Sequence, residues 1–67
     1  MAITLRAARV NKGLKLDEAA KMLGISKPTL QKYESAKGFP NIVILKRMEV
    51  LYGIKYEQIN FLIPNAQ

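Results

Sequence analysis

Between positions 26 and 32 the chain carries Ser26, Lys27, Pro28, Thr29, Gln31 and Lys32, side chains that are hydrogen-bonding, cationic or, at the proline, apolar. None is acidic. With Leu30 and Tyr33 set aside as an inner face, these residues make up the outer face of a helix small enough to enter the major groove of a duplex. Lys27 is the most telling. It falls in a first helical turn, where the helix dipole disfavours a cation. Lys15, at the start of the preceding helix, raises the same question. A phosphate or base acceptor arriving at those helix ends would account for both lysines; plain solvation would also tolerate either one.

Other chemistry is poorly supplied. There is no cysteine and no histidine, and Asp and Glu together number 5. That rules out a disulfide and argues against a zinc or haem site, so no metal and no cofactor are expected. Adjacent Asp17 and Glu18 suit the positive end of a helix dipole better than acid–base work, for which nothing nearby would tune them. The chain is not expected to be an enzyme.

The outer face needs elements to hold it, and glycine and proline punctuate the chain where helices should stop. Thr4 is a plausible cap for a first helix to Lys12, with Leu5, Ala8 and, loosely, Val10 inward and Gly13 as the stop. A second helix runs from about Leu16 to Leu23, with Leu16, Ala19, Ala20 and Leu23 as its buried stripe and Gly24 at its end. Ser26 caps a third through about Ser35, with Pro28 in the first turn, where a missing N–H is harmless. After the loop Ala36 to Pro40, Asn41 caps a fourth whose inner stripe reads Ile42, Leu45, Met48 and Tyr52, closed by Gly53. A short fifth helix, about Tyr56 to Asn60, leads into Phe61-Leu62-Ile63-Pro64. No strand pattern is long enough to trust. The class is all-α.

The stretch 16–35 is the informative one. Two short helices meet across Gly24-Ile25-Ser26, which demands a small residue where they approach and a residue that tolerates positive φ in the turn. Ala20 and Gly24 supply these, and Ile25, Leu30 and Tyr33 can pin the pair to the core. An ordinary helical hairpin would share the turn; the polar, acid-free outer face of the third helix is what points to a helix-turn-helix.

Size and charge bound the rest. A chain of 67 residues is expected to form one domain (1–67), with 61–67 a tail, and its core is small enough to depend on helix packing or a partner subunit. The net charge of +6 favours a polyanionic partner, although many small proteins are basic for solubility alone. No stretch reaches the apolar length of a membrane span, and Arg6 interrupts the N-terminus before a signal-peptide run develops. A cytoplasmic protein with no membrane partner and no small-molecule substrate is expected.

Taken together, Gly13-Leu14, Asp17-Glu18-Ala19-Ala20, Leu23-Gly24-Ile25-Ser26, Thr29-Leu30, Tyr33-Glu34, Pro40 and Leu51-Tyr52-Gly53-Ile54 resemble the XRE family, which includes lambda-like phage repressor domains and Cro proteins. The resemblance spans roughly Leu5 to Ile59. It implies a compact five-helix fold that binds operator DNA as a two-fold dimer. By position it implies base reading by Lys27, Pro28 and Lys32, with Thr29 and Gln31 at the margin. Guanine suits the lysines and a thymine methyl suits the proline. Phosphates would be held by Lys15, Ser26, Lys37, Gly38 and the N–H groups at Asn41 and Ile42. It also implies a structural ion pair between Arg9 and Glu34. One departure stands out: the family often opens its second helix with Thr-Gln, and Lys15-Leu16 offers neither the cap nor the amide.

Val43, Ile44 and Val50 are left over from the fourth helix's stripe. With Phe61, Leu62 and Ile63 they suggest an exposed apolar patch and a homodimer interface at the C-terminal segment, though a tail folded back on the core is an equal alternative. The leading expectation is a stand-alone Cro-like or prophage repressor, since little chain follows the fifth helix; a piece of a longer repressor would look the same. The competing one is an antitoxin-like module whose apolar helix masks a toxin.

Overall fold

Local capping sets the helix starts in the computed structural model, which describes residues 3–60. Strand β1 (Ile3–Thr4) runs directly into α1 (Leu5–Asn11), where Thr4 Oγ1 accepts the Ala7 N–H at 3.0 Å. Helix α2 (Leu16–Leu23) begins without such a cap, because a lysine side chain has no acceptor. Glu18 compensates from inside the helix, its Oε1 accepting the Lys15 N–H at 2.8 Å. Helix α3 (Lys27–Glu34) starts at Ser26, whose Oγ accepts the Thr29 N–H at 3.3 Å. Helix α4 (Ile42–Tyr52) starts at Asn41, whose Oδ1 accepts the Ile44 N–H at 3.0 Å. Each such cap is worth about 1 kcal/mol.

The core gathers one face from every α-helix: Leu5 and Ala8 of α1, Ala19, Ala20 and Leu23 of α2, Leu30 of α3, and Ile44, Met48 and Tyr52 of α4. Two sequence expectations are corrected here. Val10 points outward at 53% exposure, because it lies off the Leu5–Ala8 face. On α4 the buried row is Ile44, Met48 and Tyr52, spaced by four, whereas Ile42 is 62% exposed and Leu45 only half-buried. Ile42 sits about 200° around the helix from Ile44, so the two cannot both face the core. Val43 and Val50 do remain exposed, as does Met22 on α2.

The expected fifth helix is a single 3-10 turn, Tyr56–Gln58, followed by a strand β2 (Ile59–Asn60) that pairs in parallel with β1, Ile3 opposite Ile59 and Thr4 opposite Asn60. The described residues therefore hold four α-helices. The turn is tied to α4 by Glu49 Oε2, which accepts the Tyr56 N–H at 2.8 Å. Ile59 then leaves helical geometry (φ −98°, ψ 126°), and its side chain is buried in the core at 6% exposure. Phe61, Leu62 and Ile63 lie outside the described residues.

Candidate nucleic-acid interface

The corner between α2 and α3 is built from both sides. Ala20, Leu23 and Leu30 are buried, with Ile25 and Tyr33 half-buried against them. Gly24 takes the left-handed conformation at φ +76°, and the Gly24 and Ile25 N–H groups return to the Lys21 and Ala20 carbonyls at 3.1 and 3.0 Å. The Leu23 carbonyl is taken by Arg47 of α4, whose Nη1 donates to it at 2.9 Å.

Helix α3 has one acid, Glu34, and it is turned inward at 3% exposure. Arg9 of α1 meets it with two hydrogen bonds, Nε to Oε2 at 2.8 Å and Nη2 to Oε1 at 3.2 Å. Tyr52 is buried close enough to feel both charges. Its phenol is pushed up from 10 to about 12, mainly by burial, then by the Glu34 charge, with Arg9 opposing. Its hydroxyl has no hydrogen-bond partner among the described residues.

Most of the residues expected to meet DNA lie on the surface. Ser26, Lys27, Pro28, Gln31 and Lys32 are exposed, and Thr29 is half-buried. The Ser26 and Thr29 hydroxyls lie 2.7 Å apart. Since Ser26 Oγ also caps the helix, a Thr29 hydroxyl that donates to it would leave the Ser26 proton for an outside acceptor. Lys15, Lys37 and Asn41 are exposed, and Gly38 is half-buried. The structure brings Lys32 and Gly38 together: a Cβ placed on Gly38 would lie 3.1 Å from Lys32 Cε, so the lysine stem runs across the α3–α4 loop. The role of Arg47 left no mark in the sequence, because any side chain with an N–H or O–H donor can meet a carbonyl without a local signature. Tyr52 was expected on the inner stripe and is buried there, but the isolation of its hydroxyl follows only from tertiary packing.

No helix of the described residues is long and apolar enough to cross a membrane, and no group of acidic residues among them is placed to hold a metal ion. A family model described as helix-turn-helix matches residues 5–59. No significant match was found among curated proteins or among solved structures. The matched region takes in α1 through the 3-10 turn and contains the whole α2–Gly24–α3 corner. The chain belongs to the XRE family of helix-turn-helix DNA-binding regulators.

Proposed function

We propose that the chain is a small phage- or prophage-type transcriptional repressor of the Cro kind, acting in the cytoplasm by binding alone. It binds a palindromic operator as a homodimer, with α3 of each copy in the major groove. The observation that carries this reading is the sorting of charge on α3. Its single acid is buried and neutralised by Arg9, while Lys27, Gln31 and Lys32 face solvent. A helix so sorted attracts phosphate and presents donors to base edges with no acid to repel the duplex. In this reading Lys27, Pro28 and Lys32 read bases, Thr29 and Gln31 lie at the edge of the contact, and Lys15, Ser26, Lys37, Gly38 and Asn41 hold phosphates. Selection of binding sites from random duplexes, with stoichiometry measured on the winner, tests it. A palindrome bound by two chains is the expected result; equal binding to every duplex would overturn it.

The exposed Met22, Val43 and Val50 favour a second reading, an antitoxin-like module covering a toxin. Tight binding to the product of an adjacent toxin gene would establish it.

A further inference from the structure

We propose that Arg47 is a positioning residue for DNA recognition, fixing the α2–α3 corner by holding the Leu23 carbonyl. The last carbonyls of a helix have no partner within it. At the end of α2, the Ala20 and Lys21 carbonyls are taken by the turn's own N–H groups, and the Leu23 carbonyl by a guanidinium from α4 at 2.9 Å. A cation there also meets the negative end of the α2 dipole, and a charged donor makes a stronger bond than a neutral one.

Gly24 is shaped to the same contact. A Cβ on it would lie 2.7 Å from Arg47 Nη1, so the turn's glycine both permits φ +76° and admits the guanidinium. The bond therefore joins α4 to the residue just before the turn that launches α3. Leu23 has its side chain wholly buried and its carbonyl clamped, so the start of α3 is fixed relative to two other helices. Side chains that read bases need this, because a recognition surface is only as sharp as the shell that holds it.

This inference uses the sequence-specific reading above for one of its readouts, and the test separates the two. Arg47→Met, Arg47→Lys and the charge-matched control Lys46→Met are compared with the parent chain. The first measurement is the ratio of binding to the selected duplex over bulk DNA, at several salt concentrations. Arg47→Met should lower that ratio about tenfold, the order a charge-assisted hydrogen bond is worth. Arg47→Lys should recover part of it, and Lys46→Met should leave it unchanged. Equal loss on all DNA with a shallower salt slope would make Arg47 a phosphate contact, and a lowered melting temperature with an intact ratio would make it merely structural; either overturns the proposal. The second measurement needs no operator. Amide exchange at Gly24 and Ile25 should quicken in Arg47→Met while α1 stays protected, and unchanged exchange there would also overturn it.

Discussion

Arg9 grips both carboxylate oxygens of Glu34 and, through Nη1, the Leu14 carbonyl at 2.9 Å. One guanidinium thus ties α1, the turn into α2 and the end of α3 together. Glu34 needs that grip. It is buried, and it sits at the negative end of α3, where the dipole disfavours an anion.

The pair is consequently costly to break from one side. Arg9→Met should destabilise the fold by roughly 3–5 kcal/mol, because it strands a buried carboxylate. Replacing both partners by apolar residues should recover most of the loss, since no charge is then left behind. Urea unfolding of the single and double variants measures this. A single-variant cost under about 1 kcal/mol would show that the carboxylate reaches water.

Tyr52 makes stability depend on alkaline pH. Unfolded, its phenol ionises near its ordinary value of 10; folded, it keeps its proton to about 12. Between those values the unfolded state loses the proton first, so stability is whole below pH 10 and drains as pH rises toward 12. Tyr52→Phe should flatten that alkaline decline. It should cost little at neutral pH, because the hydroxyl it removes is buried without a partner among the described residues. A variant that melts with the parent's pH profile would show that another group governs the decline.

Helix α3 ends on strain. The Ala36 N–H donates to the Tyr33 carbonyl at 3.2 Å and the Lys37 N–H to the Lys32 carbonyl at 3.0 Å, a double closure that requires a left-handed residue. Ala36 fills it at φ +60°, where glycine would be at ease. Ala36→Gly should stabilise the fold by about 0.5–1 kcal/mol, the left-handed cost of alanine outweighing glycine's extra unfolded entropy. Thermal unfolding reads the sign directly.

The parts of this molecule that could be read from its sequence are those whose signals are local. Thr4, Ser26 and Asn41 cap helices through bonds three residues long, and Gly24 marks its turn by itself. The face of α4 was illegible because Ile42-Val43-Ile44-Leu45 is apolar at every position and carries no period. The β1–β2 pair was illegible for the opposite reason: two residues are too short for alternation, and their partners lie at opposite ends of the described chain. Along the corner, side-chain types could be read from position, whereas the Arg47–Leu23 contact arises only when distant segments pack and the Lys32–Gly38 contact only when the loop after α3 takes its shape.

Lys32 and Lys37 offer the sharpest contrast for the DNA reading. Both are exposed cations, so charge alone would make their removal equivalent. Lys32 projects from α3 with its stem against Gly38, and we expect it to read a base; Lys37 sits in the loop, and we expect it to hold a phosphate. Lys32→Ala should weaken operator binding by ~1–3 kcal/mol and relax preference at one base pair. Lys37→Ala should weaken all DNA alike and shallow the salt slope by about 1. Gly38→Ala separates place from charge: its Cβ would displace the Lys32 stem without altering any charge, so selectivity should shift while the salt slope holds. If Lys32→Ala leaves base preference untouched, its ammonium is a phosphate ligand, and the reading set on α3 shrinks to Lys27 and Pro28, with Thr29 and Gln31 at its edge.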